Sequence, residues 1–387
     1  MPNKPNKVLF CATVDTHFEK FHLPYFRWFR EQGWEVHVAA AGTLDLPHVD
    51  RRYVVPFARS PFRPENVRAY RELAGLIEGN GYALVHCHTP VGGALARLAA
   101  RRARRRGTHV LYTAHGFHFF RGSSLLSWLT YYPMERWLSR YTDCLITINE
   151  EDYAVAAGRS FPAGRVERVH GVGVDLAAFQ PPSEARKREL KERLGYRDSE
   201  FLLFYAAEFN RNKNQQLLLR ALALLQPSHP SARLLLAGDG PLLAECRELA
   251  DRLGVGEKVR FLGYRRDVDA IVPACDLAVA SSYREGLPVN VMEAMACGLP
   301  VVATDNRGHR ELVQPNLNGW IVPADDPRRL AEAVASLIEN EVQRRRMGAV
   351  GAVLVRERYS LESVLSEQVR IYSAYMEEED RVQWATL

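Results

Sequence analysis

Short apolar runs, each followed by a turn and a stretch of helical length, recur along the whole chain. In the first half they are KVLFCAT, EVHVAA, RYVVPF, ALVHCH, HVLYTA and DCLITI, and in the second half FLLFYAA, ARLLLAG, KVRFLG, DLAVASS, PVVATD and GWIVPA. Near-continuous apolar strands that alternate with helices indicate parallel sheets covered by helices on both faces. The pattern therefore predicts an α/β fold with two Rossmann-like, doubly wound parallel-sheet domains.

The domain boundary is predicted near GVGVDLAAFQPPSEARKREL, where glycines and two prolines interrupt the pattern. We assign residues 1–180 to a first domain and 181–358 to a second, a division that suits a chain of 387 residues. Ligands of open α/β sheets bind beyond the carboxyl ends of the strands. The cleft that two such domains would face is therefore the expected site.

Cysteine usage and hydropathy limit the class of protein. The six cysteines lie far apart without a C-x-x-C pair, which argues against a zinc knuckle or a disulfide framework and favours a reducing cytoplasm. No uninterrupted apolar stretch is long enough to span a bilayer, and KVLFCATVD is typical of a first strand rather than of a signal peptide. The net charge of +5 is mild, and we expect no nucleic-acid partner.

Two neighbouring segments leave alternatives open. ARLAARRARRRGTHV concentrates arginines from Arg97 to Arg106, which suits either an anionic membrane surface or a solvated helix end whose dipole the arginines complement. SSLLSWLTYYPMERWL is apolar around much of a helix, which suits either the protein core or an interfacial helix resting on a membrane.

Two carboxylates stand out in SSYREGLPVNVMEAMACGLPVVATD, a segment otherwise almost bare of charge. The pattern places Glu285 and Gly286 in a loop at the carboxyl end of a strand, Pro288 at the start of a helix, and Glu293 inside that helix. A helix N-terminus suits a phosphate, and a buried carboxylate needs a hydrogen-bonding partner such as a sugar hydroxyl. Spacing alone favours the alternative, a thin solvated stripe of Asn290 and Glu293.

A family resemblance favours the functional interpretation. EGLPVNVMEAMACGLPVVATD resembles the E-x(7)-E signature of the retaining nucleotide-sugar glycosyltransferases of family 4, and GDGPL, VRFLGYRRDV, VHCHTP and YTAHGFH occur in the order typical of that family. FHLPYFRWFREQGWEVHVAA and CLITINEEDY resemble the bacterial capsule and exopolysaccharide subgroup. The resemblance covers nearly the whole chain and implies the two-domain GT-B fold, with an acceptor-side first domain and a nucleotide-sugar-binding second domain.

The resemblance also implies roles for residues of the second domain. Glu285 would bind the hydroxyls of the donor sugar, and Glu293 the ribose of the nucleotide. The diphosphate or the sugar would be contacted by the backbone N–H groups of Gly286, Leu287 and Val289. Lys213, in AAEFNRNKNQ, matches the phosphate-binding lysine, whose charge would offset that of the leaving diphosphate.

On the acceptor side, His115 in TAHGFH matches the active-site histidine of the family, and Phe117 and His118 are weaker acceptor-side candidates. His88, in HCHTP, is predicted to be structural. The alternative role for a lone histidine at the end of a strand is structural, as a packed or capping residue.

The chain departs from the family at two places. Glu208 stands where many members carry an arginine, and we expect Arg211 to substitute for it. TVDTHFEKFH replaces the glycine-rich loop that commonly follows the first strand, so that His17 and Lys20 are expected to contact the substrate through their side chains.

The implied chemistry is a retaining hexosyl transfer by front-face displacement. We expect no catalytic metal and no cofactor, because the nucleotide-sugar, a UDP-sugar by expectation, is a substrate. The implied acceptor is a polyprenyl-diphosphate-linked saccharide, handled by a cytoplasmic enzyme that is peripheral on the inner face of the plasma membrane. Competing classes on the same fold are nucleotide-sugar 2-epimerases and pyridoxal-phosphate phosphorylases, and a non-enzymatic scaffold is a third alternative.

The end of the chain has its own expected place. SLESVLSEQVRIYSAYMEEED has a largely helical apolar spacing and no strand of its own to cover. The family's final helix crosses back to the first domain, so 359–387 is expected to belong there spatially and to form a hinge with the 171–182 linker.

Overall fold

A computed structural model describes residues 6–159 and 161–385, with the backbone alone for 377–385. The chain up to Gly171 together with the chain from Leu365 onward makes one compact unit, called unit 1 here, and Val172–Val364 makes unit 2. The boundaries thus fall at Gly171 and Leu365 instead of at 180 and 358. The extreme ends of the first and last predicted domains, 1–5 and 386–387, lie outside the described residues.

Unit 1 contains a parallel sheet built from the apolar runs of the first half. Its strands are β1 (Lys7–Val14), β2 (Glu35–Ala41), β3 (Arg51–Val54), β4 (Leu84–His88), β5 (His109–Ala114), β6 (Cys144–Thr147) and β7 (Arg165–Arg168). Among the described residues the order is β3-β2-β1-β4-β5-β6-β7. Strand β7 was not predicted, because its sequence RVER has no apolar run; within the described part of the chain it lies at the sheet edge beside β6.

Helices cover this sheet. They are α1 (Thr16–Phe21), α2 (Leu23–Glu31), α3 (Glu65–Asn80), α4 (Pro90–Ala99), α5 (Arg101–Arg104), α6 (Leu125–Ser139) and α7 (Glu150–Gly158). Leu73 and Ile77 of α3 and Ala96 of α4 are buried in the same apolar cluster as the strand residues Leu9 and Val85. Burial of these apolar stripes, and not helix propensity alone, stabilises the short helices.

Unit 2 repeats the architecture. Its strands are β8 (Phe201–Ala206), β9 (Ala232–Ala237), β10 (Val259–Gly263), β11 (Leu277–Ala280), β12 (Val301–Thr304) and β13 (Gly319–Val322). Its helices are α8 (Glu184–Arg193), α9 (Gln215–Leu225), α10 (Leu243–Arg252), α11 (Val268–Ile271), α12 (Val289–Ala296), α13 (Arg307–Leu312), α14 (Pro327–Glu339) and α15 (Glu341–Leu354). The described strands are parallel, in the order β10-β9-β8-β11-β12-β13.

Both sheets are doubly wound, as predicted, and the predicted fold class is confirmed. The strand order reverses between β1 and β4 in unit 1 and between β8 and β11 in unit 2. Loops diverge at such a switch point and leave a crevice outside the carboxyl ends of the strands. Each unit therefore offers one ligand-binding edge.

The last helix, α16 (Leu361–Ala385), belongs to unit 1 from Leu365 onward. The buried Tyr372 places its hydroxyl 2.7 Å from Nδ1 of His86 on β4, and the Tyr375 hydroxyl donates to the carbonyl of Asp143 at 3.2 Å. These polar contacts and the aromatic packing of Tyr372 on Phe29 tie the helix to the first sheet.

Arg97 is not part of the exposed basic cluster that the sequence suggested. Its side chain is fully buried, and its guanidinium makes two hydrogen bonds to Glu135 of α6, at 3.0 and 3.2 Å, while it stacks over the Tyr112 ring. Burial without this paired carboxylate would be costly, so the ion pair fixes α4 against α6. Arg101, Arg102, Arg105 and Arg106 are exposed.

Helix α6 has two different faces. Trp128 and Tyr132 pack against the unit 1 core. The opposite face exposes Leu125, Leu126 and Leu129, each about two-thirds or more accessible, followed by Met134 and Trp137. The core interpretation of this segment therefore holds for one face, and the other face is an exposed apolar surface. No described helix is long and apolar enough to cross a bilayer.

Candidate active site

The loops that follow β8 and β11 meet at the switch point of the unit 2 sheet. Lys213, which follows β8, places its Nζ atom 2.5 Å from Oε1 of Glu285, which follows β11. The two side chains are 23% and 14% exposed, so the ion pair is partly buried and still reachable from solvent. The structure thus brings together two residues that lie 72 positions apart in the sequence.

Hydrogen bonds hold both loops in place. The hydroxyl of Ser281 donates to the carbonyl of Lys213 at 2.7 Å, and the side-chain amide of Asn212 donates to the carbonyl of Arg284 at 2.9 Å. Tyr205, at the end of β8, lies 2.7 Å from the Ser282 hydroxyl. Burial, and next the charge of Glu285, raises the pKa of Tyr205 and keeps its phenol neutral.

Helix α12 begins directly after the Glu285 loop. Gly286 is half-buried, Leu287 is buried, and Val289 is the first helical residue, with Pro288 at the cap position. The N–H groups of a first helical turn have no partner within the helix, and together with the helix dipole they favour an anion. Lys213, in contact with Glu285, and the start of α12 directly after this loop therefore both provide positive charge near Glu285.

Glu293 lies on α12 in a half-buried position. Its charge, after burial, raises the pKa of the neighbouring Cys297 thiol to about 12. Asn290 does not form a solvated stripe with it, because the Asn290 side chain donates to the carbonyl of Ala206 at 2.9 Å. Arg211 is exposed, and the Glu208 carboxylate accepts a hydrogen bond from the Asn210 side chain at 3.0 Å.

Residues at the start of α13 also contact the Glu285 loop, and the sequence analysis missed them. The Arg307 Nε–H donates to the carbonyl of Glu285 at 3.1 Å. A side chain on Gly308 would place its Cβ 2.8 Å from Cβ of Glu285 and 3.0 Å from the Gly286 carbonyl oxygen. Only glycine permits this approach. The sequence did contain a signal for these residues, because α13 follows β12 and therefore starts at the same carboxyl edge of the sheet as the Glu285 loop.

His309 completes this layer of α13. It is fully buried, with its Nδ1 2.7 Å from the carbonyl oxygen of Thr304, and its main-chain N–H donates to the Asn306 side chain, which caps α13. Burial lowers the pKa of His309, so its ring is neutral at physiological pH. The ring thus supports the loop by packing and hydrogen bonding and adds no charge to it.

The acceptor-side candidates lie in unit 1, at the carboxyl edge of its sheet. His17 lies in the first turn of α1, which follows β1, and His115 follows β5; their ring centroids are 4.9 Å apart. Nε2 of His115 is 3.3 Å from Nδ1 of His88, the last residue of β4. Burial lowers the pKa of His115 to about 4, so that the imidazole is neutral near pH 7.

Phe117 and His118 differ in their surroundings. The Phe117 ring is buried and stacks on Phe119 with a centroid distance of 4.7 Å, so it contributes to the unit 1 core. His118 is half-buried beside the Tyr131 ring of α6. Lys20 is exposed on α1.

Comparisons with known proteins agree with this architecture. Residues 186–352 match the family model described as glycosyl transferases group 1, and 26–178 match glycosyltransferase family 4. EpsD of Bacillus subtilis (strain 168), assigned as a glycosyltransferase, is 50% identical over 371 residues, 96% of this chain and 97% of that protein. The chain belongs to the glycosyltransferases.

More distant relatives of this glycosyltransferase agree with the assignment. The UDP-Gal:alpha-D-GlcNAc-diphosphoundecaprenol alpha-1,3-galactosyltransferase of Escherichia coli is 26% identical over 298 residues, 76% of each chain. The crystal structure of Anabaena Alr3699/HepE in complex with UDP and glucose superposes with a TM-score of 0.77 at 19% identity, over 95% of this chain and all of that one. Sucrose-phosphate synthase from Thermosynechococcus elongatus gives a TM-score of 0.80 at 21% identity, over 97% and 100%. These two structural likenesses establish the GT-B fold.

Proposed function

We propose that this glycosyltransferase moves a sugar, with retention of configuration, from a UDP-sugar to a polyprenyl-diphosphate-linked saccharide during exopolysaccharide synthesis. The name of the Escherichia coli relative gives UDP-galactose as donor and a diphosphoundecaprenol-linked sugar as acceptor, and the HepE complex contains UDP and glucose. The resemblance of FHLPYFRWFREQGWEVHVAA and CLITINEEDY to the exopolysaccharide subgroup supports an exopolysaccharide role. The nucleotide-sugar is a substrate, and the proposed reaction uses no cofactor.

The observation that carries this proposal is the Lys213–Glu285 ion pair beside the start of α12. As the bond between the anomeric carbon and the diphosphate breaks, negative charge builds on the leaving oxygen. Lys213 and the first N–H groups of α12 would stabilise that charge. Glu285 would orient the sugar through its hydroxyl groups, a positioning effect that lowers the barrier without a covalent intermediate.

In the proposed step the acceptor oxygen bonds to the anomeric carbon on the face from which the diphosphate departs. The acceptor proton passes to the departing phosphate oxygen, so no protein base is required. The neutral imidazole of His115 would accept or donate a hydrogen bond on the acceptor side without adding charge. Glu293 would hold the ribose and thereby fix the nucleotide.

The test is an incubation of the purified protein with UDP-hexoses and a polyprenyl-diphosphate-linked saccharide, with the anomeric configuration of the product read by NMR. Acceptor-dependent formation of an α-linked product from an α-configured donor is the expected result. Conversion of the UDP-sugar into its 2-epimer without acceptor would identify an epimerase instead. Nucleotide binding without formation of either product would indicate a non-enzymatic scaffold.

A lipid-linked acceptor requires contact with a membrane, and we propose that the exposed face of α6 provides it at the cytoplasmic surface. Leu126, Leu129 and Trp137 lie along that face, and Arg136 and Arg140 are exposed at its C-terminal end. Nε of Arg104 on α5 bonds Asp143 at 2.9 Å, and its Nη1 donates to the carbonyl of Arg140 at 3.3 Å. This contact places the exposed arginines of the α5 region beside the end of α6. An apolar face with a basic rim suits an anionic bilayer surface.

Vesicle sedimentation tests this surface. Vesicles with anionic lipid should sediment the wild-type protein, and neutral vesicles should do so less. Leu126→Glu combined with Leu129→Glu should abolish sedimentation, whereas Val342→Glu, at an equally exposed apolar site of unit 2, should not. Equal sedimentation of wild type and the Leu126/Leu129 double variant would contradict the assignment.

A further inference from the structure

Histidines from three separate segments converge at the carboxyl edge of the unit 1 sheet. His17 lies in the first turn of α1, His22 directly follows that helix, and His88 ends β4. Nε2 of His22 lies 3.1 Å from Nε2 of His88, and one ring nitrogen from each of the three residues lies within 4.8 Å of the others. His22 and His88 are almost fully buried, and His17 is half-buried.

The type of side chain in this cluster favours a metal ion as its ligand. A neutral imidazole has one nitrogen lone pair, which suits a metal ion and attracts a phosphate poorly.

One nitrogen that the cluster offers to a ligand is left without a hydrogen bond. Within the described residues, Nε2 of His17 is buried and has no hydrogen-bond partner, and Nδ1 of His22, likewise unpartnered, is the second nitrogen of its ring. Buried polar atoms are almost always paired, with protein, water or an ion, because an unpaired one loses its hydration without compensation. His86, the next histidine on β4, differs in this respect, since its two nitrogens lie 2.7 Å from the Tyr372 hydroxyl and 2.9 Å from the Thr113 hydroxyl.

We propose that His17, His22 and His88 bind a zinc-class divalent transition metal through their Nε2 atoms. A tetrahedral zinc ion with bonds of about 2.0–2.1 Å separates its ligand nitrogens by about 3.3–3.4 Å. The His22–His88 separation of 3.1 Å is close to that value. The ligand nitrogen of His17 lies within 4.8 Å of the other two, so metal binding requires the half-buried His17 ring to move toward them. Imidazole ligands favour zinc, copper or nickel over magnesium or calcium.

The surroundings of His88 fit a ligand. Its other ring nitrogen, Nδ1, lies 3.3 Å from Nε2 of His115. A hydrogen bond from Nδ1–H of His88 to His115 leaves Nε2 of His88 unprotonated and directed at the metal, the arrangement that fixes the tautomer of metal-bound histidines. The site therefore joins the candidate acceptor-side residue His115 to the metal through His88. No step of sugar transfer is assigned to the metal, and the inference stands or fails independently of the proposed function.

Untagged full-length protein, stripped of metal by dialysis, tests the site. Titration with Co²⁺ should produce the visible ligand-field absorption of a tetrahedral ion up to an equimolar amount, and Zn²⁺ should abolish that absorption by displacement. X-ray absorption of the zinc-loaded protein should show imidazole nitrogens as the protein ligands. His22→Asn and His17→Asn should each weaken Co²⁺ binding about tenfold or more. His109→Asn, at the amino end of β5, is the control and should bind as the wild type does.

Two results would overturn the proposal. One is wild-type protein that gives no tetrahedral Co²⁺ spectrum and takes up no Zn²⁺, a measurement that does not depend on whether any variant folds. The other is folded His22→Asn protein that binds Co²⁺ as tightly as His109→Asn does. Sugar transfer is not a readout in either measurement, so failure here is distinguishable from failure of the proposed reaction.

Discussion

The ammonium group of Lys213 and the carboxylate of Glu285 lie 2.5 Å apart and join the loop after β8 to the loop after β11. Each charge is compensated by the other in a position that solvent only partly reaches. A substrate that inserts a diphosphate near Lys213 and a sugar near Glu285 would replace this ion pair with two new charge-assisted contacts. The predictions on the donor side follow from this relationship.

The two glutamates should have separable effects. Glu285→Gln keeps the shape of the side chain but removes its charge, so we expect kcat to fall while UDP affinity changes little. Glu293→Gln should chiefly weaken UDP binding. Loss of one charge-assisted hydrogen bond is worth about 1.5–3 kcal/mol, or about ten- to 150-fold. Steady-state kinetics and calorimetry with UDP measure the two effects. Unchanged UDP affinity in Glu293→Gln would count against the ribose assignment.

Lys213 should make magnesium and manganese unnecessary for transfer. We expect Lys213→Ala to lose most of the kcat, because the leaving diphosphate then lacks its cation and Glu285 lacks its partner. Wild-type turnover should not rise when Mg²⁺ or Mn²⁺ is added to protein freed of both. Lys258→Ala, which removes a hydrogen bond at the surface, is the control. If Mg²⁺ or Mn²⁺ is required, the assigned role of Lys213 is wrong.

Gly308 should be needed to position the Glu285 loop. Gly308→Ala places a methyl group against Glu285 and Gly286, and the loop must shift to admit it. Overpacking of this kind costs about 1–3 kcal/mol, and we expect both a lower kcat and a lower urea midpoint. In Gly351→Ala the added methyl meets Met295 at an ordinary 3.6 Å, so that variant should keep both values. Equal kcat in the two variants would contradict the positioning role.

The buried Arg97–Glu135 ion pair should dominate the stability of the α4–α6 contact. Arg97→Ala leaves the carboxylate of Glu135 buried without its cation, which costs about 3–5 kcal/mol. Arg102→Ala removes an exposed charge that lies 3.7 Å from Glu78, and it should change the free energy of unfolding by no more than about 1 kcal/mol. Urea unfolding followed by circular dichroism compares the two. Similar unfolding midpoints would show that the pair contributes little.

Sequence reasoning had the most success where the signal is local. Apolar runs such as FLLFYAA and HVLYTA predicted the strands β8 and β5, and the turn chemistry around Pro288 predicted a helix start at α12. Glu285 was singled out by its position after a strand and by the family motif, and Lys213 by the family motif alone; the structure places their side chains 2.5 Å apart. Local periodicity and turn residues determine these features, because neighbouring residues alone decide which face of an element is apolar.

Only the tertiary structure decided the features that depend on distant residues. The short charged strand β7 exists because β6 offers it a pairing edge, and Arg97 is buried because Glu135, 38 positions away, lies opposite it. The approach of Gly308 to Glu285 and the convergence of the histidines likewise join separate loops. The sequence RVER of β7 and the arginine-rich segment around Arg97 each resemble an exposed segment. The order of the strands in each sheet brings the distant residues together, and that order is set by the packing of the whole unit.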